Sequence, residues 1–195
     1  MDKGIFIVVY GPNNIGKTTQ VKLLASDFFQ RSRQILVFKY PIYSLDPTGP
    51  IINEALRLGN PRGLSEEQLQ EFFARNRRDF QPVIKKILNA GISVLAEDYT
   101  GTGISWGMTR GIPLEKLEAI NSGLLEPDIS ILLDGDRFPD GHEKGHRNED
   151  VPVAVWEKNR KIHLRLAKRY GWILVNANQT ISKVHKDILK AAGQV

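Results

Sequence analysis

Five short apolar runs punctuate the chain: Ile5–Tyr10, Ile35–Tyr40, Ile92–Glu97, Ile129–Asp134 and Trp172–Ala177. Each is rich in Val, Ile or aromatic residues. None alternates strictly with polar positions, which is the pattern of strands covered on both faces. Between them lie stretches of helix length: Lys17–Ser32, Ser65–Ala90, Val153–Tyr170 and Thr180–Ala192. Strand alternating with helix predicts an α/β fold with a mainly parallel sheet. Right-handed crossovers in such a sheet place ligands at the carboxyl ends of the strands.

Local signals refine these elements. Ser65 followed by Gln68 reads as a capping box, and Glu66 and Glu67 suit a helix N-terminus. Leu69, Phe72, Phe73, Phe80, Ile84, Ile87 and Leu88 then follow helical spacing, with Pro82 expected to kink or interrupt the helix. Gly91, Gly171 and Gly193 stand where helices should stop. Ile181, Val184, Ile188 and Leu189 give the last helix one apolar face.

Two stretches leave the alternation. Residues 41–63 hold four prolines and read as an irregular excursion with one short helix. Residues Arg137 to Asp150 are Gly, His and charge with almost no apolar content. A connector of about 14 residues without apolar anchors reads as a lid.

The length of 195 residues predicts a single domain, large enough for a hydrophobic core without staples. The chain has no cysteine, which excludes disulfides, thiolate nucleophiles and Cys-ligated metals. Its net charge of +5 admits an anionic partner without naming one. The cations cluster at Arg75–Lys86 and Lys158–Arg169. No nucleic-acid-binding module is recognisable, and the second cluster reads as lid support and nucleotide contact. Met1-Asp2-Lys3 leads straight into Ile5–Tyr10, too short for a signal h-region or a membrane span. The expectation is a soluble, cytoplasmic protein without membrane or nucleic-acid partners.

The chemistry is carried by Gly11-Pro-Asn13-Asn14-Ile15-Gly16-Lys17-Thr18, which fits G-x-x-x-x-G-K-[ST] between a strand and a helix. In that context glycines let successive N–H groups face phosphate oxygens, and the helix N-terminus adds positive potential. Lys17 is expected at the β- and γ-phosphates, the Thr18 hydroxyl on Mg²⁺, and Thr19 beside them. A guanine-selecting N-K-x-D is absent, with Asn159-Arg-Lys-Ile162 a poor stand-in. Length and charged lid favour a small kinase.

Three further groups complete the reading. Phe73 and Arg77 are four residues apart and share a helix face, a ring to stack on a base and a guanidinium to bind base or phosphate. Glu97-Asp98-Tyr99 ends the third strand, where carboxylates face the phosphates and hold Mg²⁺ or orient a hydroxyl. Thr100-Gly-Thr102-Gly103 reads as a tight turn open to substrate. The lid offers Arg137, His142, Lys144, His146 and Arg147 to the transferring phosphoryl group.

The sequence resembles thymidylate kinases, in the nucleoside monophosphate kinase group of P-loop proteins. The resemblance runs through residues 11–20, Lys39-Tyr-Pro41, Phe73-Ala-Arg-Asn-Arg77, Glu97-Asp-Tyr99 with Thr102-Gly103, Pro127-Asp128 with Ile129–Asp134, and Val175-Asn-Ala-Asn-Gln179. It implies a three-layer fold with a five-stranded parallel sheet, ATP and Mg²⁺, transfer to a deoxynucleoside monophosphate such as dTMP, and a homodimer. Residues from about 41 to 82 would bind the acceptor, and those from about 136 to 150 would form the lid. By position, Phe73 would stack on the acceptor base, Arg77 would contact base or phosphate, and Tyr99 would lie against the sugar. Ala177–Gln179 would flank adenine.

The departures from the family pattern define the question. Asn13 replaces an acid in the P-loop, and Glu97-Asp98 replaces Asp-Arg. Ile42 and Tyr43 stand where an arginine is expected after Pro41. Two monophosphate contacts are thereby lost, leaving Lys39, Arg77 or lid cations to compensate. With no P-loop arginine, Arg147 and Arg137 are the candidates for a transition-state cation. The lost arginines keep two other readings open: a nucleoside kinase acting on a 5′-hydroxyl, with Glu97 or Asp98 as proton acceptor, and a nucleotide-binding protein with little transferase activity.

Overall fold

A computed structural model describes residues 3–139 and 143–193. Its five strands are β1 (Phe6–Tyr10), β2 (Ile35–Lys39), β3 (Ser93–Glu97), β4 (Ile129–Asp134) and β5 (Ile173–Asn176). They form one parallel sheet in the order β2-β3-β1-β4-β5. Helices α1 (Lys17–Gln30), α2 (Thr48–Arg57), α3 (Glu66–Asn89), α4 (Thr100–Thr109), α5 (Leu114–Ile120), α6 (Val153–Tyr170) and α7 (Ile181–Ala191) accompany it.

The continuous apolar runs follow from burial on both faces. Ile7 and Val9 join Leu24, Phe28, Val184 and Ile188 in one core beneath α1 and α7. Phe6, Val8 and Tyr10 point the other way, to Ile84 and Leu88 of α3. Strands β1 and β3 are buried at every position. The edge strands depart from that expectation: Leu36 and Val37 of β2 and Ile173 and Leu174 of β5 are exposed, because each edge has only one neighbouring strand.

Ser65 caps α3 in both directions of the capping box, its Oγ accepting from the Gln68 N–H and the Gln68 side chain accepting from the Ser65 N–H. Helix α3 continues through Pro82 rather than breaking there. Burial of Ile84 and Leu88 against the sheet holds its last turns in place. The excursion at 41–63 contains the one helix expected of it, α2.

Residues 100–103 are not a free turn; they begin α4. The glycines there serve close packing. A Cβ on Gly101 would lie 2.3 Å from the Trp172 ring, and one on Gly103 would lie 2.6 Å from Arg77 Nη2. The fold thus brings the ends of β1, β2 and β3, the start of α1, and one face of α3 and α4 around a common space.

Candidate functional site

That space is a cavity of about 350 Å³ at the carboxyl edge of the sheet. Asn13, Asn14, Ile15, Gly16, Lys17, Thr18 and Thr19 form one wall. The chain reverses there through two left-handed residues, Asn14 (φ 60°) and Gly16 (φ 89°). Asn tolerates that region better than most residues with a Cβ, and Gly16 then opens α1 with no side-chain cap on its first N–H groups. Uncapped N–H groups at a helix start favour an anion.

Lys17 is 6 % exposed. Its Nζ donates to the Gly11 and Pro12 carbonyls at 2.8 and 3.0 Å and lies 3.7 Å from Asp98 Oδ1. Strand pairing sets Glu97 opposite both Val9 and Lys39. The Glu97 carboxylate therefore accepts from the Thr18 hydroxyl at 2.8 Å and from Lys39 Nζ at 2.9 Å. Hard oxygens of Thr18 and Glu97 side by side are the donor type that Mg²⁺ takes.

Asp98 takes a left-handed backbone (φ 63°) and accepts from the Thr102 hydroxyl at 2.8 Å. Burial pushes its carboxyl pKa up, and Lys17 opposes the shift. Tyr99 is 2 % exposed and packs edge-on to Phe6 and Tyr40. Burial pushes its phenol up to about 12.

The opposite wall comes from α2 and α3. Phe73 and Arg77 both line the cavity, as their spacing requires. Phe73 sits on an apolar floor with Ile52, Leu56 and Leu69. Arg77 is 4 % exposed, and its Nη1 donates to Asn121 Oδ1 at 3.0 Å. Its Nε is buried without a partner. The neighbouring tyrosines raise its pKa, but desolvation outweighs them and lowers it.

Other expected residues lie elsewhere. Arg137 donates to the Val151 carbonyl at 3.1 Å and to that of Glu149, and Arg147 pairs with Glu66. Neither lines the cavity. Ala177 and Gln179 are also outside its lining; Gln179 donates to Asn176 O and to Asp187. His142 lies outside the described residues. His146, by contrast, does line the cavity, with Glu143 and Glu149 close enough to share an ion with it. Both acids are engaged already, Glu143 by Arg57 and Glu149 by the Glu143 N–H.

Sequence reasoning missed three contributors. Phe138 donates its N–H to the Asn14 carbonyl at 2.8 Å, and its ring abuts Gly16. Trp156 Nε1 donates to the Asn13 carbonyl at 2.7 Å, bracing the P-loop from α6. Arg57 lines the cavity from the end of α2. In α6, Lys158 donates to the Thr109 carbonyl, Arg160 chelates Asp134 and Arg169 pairs with Glu118, so much of its charge is internally engaged.

Comparison with known proteins places this geometry. A family model described as thymidylate kinase matches residues 9–188. A probable thymidylate kinase of Pyrococcus abyssi is 31% identical over 196 residues, covering 96% of this chain and 95% of that protein. The thymidylate kinase of Dictyostelium discoideum is 27% identical over 195 residues, covering 95% and 83%. The solved structure of thymidylate kinase from Candida albicans superposes with a TM-score of 0.84 at 22% identity, covering 98% of this chain and 92% of that one. That last likeness carries the fold.

Proposed function

The chain belongs to the thymidylate kinase family, ATP-dependent nucleoside monophosphate kinases, and from that premise we propose that it transfers the γ-phosphoryl group of ATP to dTMP with Mg²⁺. The observation that carries the reading is one continuous cavity. It runs from Gly16, Lys17 and Thr18 to Phe73 and Arg77, so donor phosphate and acceptor base would share a single space.

In this reading the P-loop N–H groups and the start of α1 hold the β- and γ-phosphates. Lys17 leaves the carbonyls of Gly11 and Pro12 for phosphate oxygens. Thr18 and Glu97 are the residues that would hold Mg²⁺. Bound there, the ion would supply charge neutralisation across the β- and γ-oxygens. Phe73 stacks on the thymine, Arg77 bonds its edge, and Tyr99 lies against the sugar. Thr102 holds Asp98 in place, and Gly103 leaves room for the Arg77 guanidinium. Transfer of this kind works by positioning and charge stabilisation and needs no strong general base.

The segment from about 136 to 150 acts as the lid over this single domain, and residues from about 41 to 82 form most of the acceptor side. For Arg137 or Arg147 to reach the transferring group, the lid must release the contacts to Glu149, Val151 and Glu66. Ala177–Gln179 would meet adenine beyond the cavity rim. A homodimer fits the family resemblance. Among the described residues no helix is long and apolar enough to cross a membrane.

A panel of nucleoside monophosphates tests the acceptor. ADP release in ATP-Mg²⁺ should be fastest with dTMP and should stop when EDTA removes the metal. Equal rates with purine monophosphates would refute selection by the Phe73–Arg77 pair, and EDTA-resistant turnover would refute the Thr18–Glu97 metal site.

A further inference from the structure

Tyr43 occupies a position where an arginine would contact the acceptor's phosphate, yet a guanidinium still reaches that wall. Arg57, the last residue of α2, lays its Cζ 4.6 Å from the centre of the Tyr43 ring. Arg57 lines the same cavity as Lys17, Lys39 and Arg77. Its neighbour Leu56 belongs to the apolar floor under Phe73. The element that supports the stacking ring therefore also carries this cation.

The Arg57 fork is already gripping an anion. Nε donates to Glu143 Oε1 at 2.6 Å, and Nη2 donates to Oε2 at 3.0 Å. The remaining arm, Nη1, donates to Asn53 Oδ1 at 2.9 Å and fixes the plane of the fork. Glu143 comes from residues 136–150 and lines the cavity. The hydrogen bonds from Arg57 hold its carboxyl below the usual range. Two parallel N–H···O bonds to one anion are also how arginine binds a phosphate monoester.

We propose that Arg57 anchors the acceptor's monophosphate in this chain, and that Glu143 is an internal anion which occupies the fork until the acceptor displaces it. The proposal rests on the monophosphate-kinase reading above. It explains how a chain with Asp98 and Tyr43 in place of two arginines retains a bidentate cation on the acceptor side. It also couples acceptor arrival to the lid, because losing Glu143 frees one of the contacts that residues 143–150 make with α2.

The test compares wild type, Arg57→Gln and Glu143→Gln. The dTMP KM is measured at saturating ATP, and the affinities for dTMP and thymidine are measured by calorimetry. Loss of one charge-assisted contact should raise the Arg57→Gln KM for dTMP about 10–100-fold. Thymidine affinity and the ATP KM should stay within about twofold, since neither ligand presents an acceptor phosphate to Arg57. Glu143→Gln removes the competing anion and should lower the dTMP KM. The opposite signs are the diagnostic, because a mere strut between α2 and the lid would make both variants worse together. That shared direction, or an unchanged dTMP KM in Arg57→Gln, overturns the anchor while leaving the kinase reading intact. Wild-type protein that does not phosphorylate dTMP overturns the reading and the anchor together, and this is seen before any variant is made.

Discussion

Replacing Gly103 with alanine separates the site from the fold. An added Cβ would lie 2.6 Å from Arg77 Nη2, 3.1 Å from Nη1 and 3.2 Å from Cζ. Ordinary contact between heavy atoms is about 3.5–4.0 Å, so the guanidinium must retreat by about 1 Å. That retreat strains or breaks the 3.0 Å bond to Asn121. On stability the effects oppose each other. Gly→Ala within a helix gains about 0.5–1 kcal/mol, and loss of a hydrogen bond from a charged group costs about 1.5–3 kcal/mol. The net loss is about 0.5–2.5 kcal/mol, or a few degrees in Tm for a chain of this size. On function there is no such offset. A misaimed Arg77 should raise the dTMP KM by about 10–100-fold while the ATP KM holds. Thermal denaturation and steady-state kinetics measure the two separately. In an Arg77→Ala background the clash is gone, so Gly103→Ala should become stabilising by the propensity gain alone. A dTMP KM unchanged within twofold, or a destabilisation that persists without Arg77, would refute the packing argument.

Gly101→Ala makes a contrasting case: its Cβ would meet the Trp172 ring at 2.3 Å, and that ring is stacked on Tyr10 at 4.2 Å. No flexible end can yield, so a stability loss of about 1–3 kcal/mol is expected in denaturant titration. Lys17→Ala should reduce transfer at least about 10²–10³-fold with a native circular dichroism spectrum; near-normal turnover would remove the P-loop lysine from the mechanism. His163 is fully buried between Ser105 and the Asn159 carbonyl, and burial pushes its pKa down to about 3. The folded value lies below the unfolded one of about 6.5, so the unfolded chain takes up the proton first as pH falls. Stability should be full above about pH 6.5 and decline below it by about 1.4 kcal/mol per pH unit, or about 2 kcal/mol by pH 5. Burial also lowers the His146 pKa and adds to the slope, so the comparison is with His163→Gln, whose pH 7-to-5 loss should be smaller.

What the sequence made legible is what local periodicity and burial encode. The runs of β1 and β3 read as strands because helices cover both sheet faces. The Ser65–Gln68 box, the P-loop and the Phe73–Arg77 pair are all relations within a few residues. Helix α4 is hidden because Gly101, Gly103 and Gly107 lower its propensity; each makes room for a partner from another element, Trp172 and Arg77 from remote ones and Leu117 from the next helix. The same remoteness hid part of the site. Arg57 meets Glu143 across 86 residues and Trp156 meets Asn13 across 143, and no spacing rule connects them. The lid arginines are visible as charges, but their partners, Glu66 and the carbonyls of Glu149 and Val151, are tertiary facts.

The most direct test sets dTMP against thymidine as the acceptor, with ATP-Mg²⁺ as donor and the product identified by mass. dTMP should yield dTDP, and thymidine should yield no phosphorylated product. Formation of dTMP from thymidine, with dTMP itself left unconverted, would contradict this and assign the Glu97–Asp98 carboxylates to activating a 5′-hydroxyl instead.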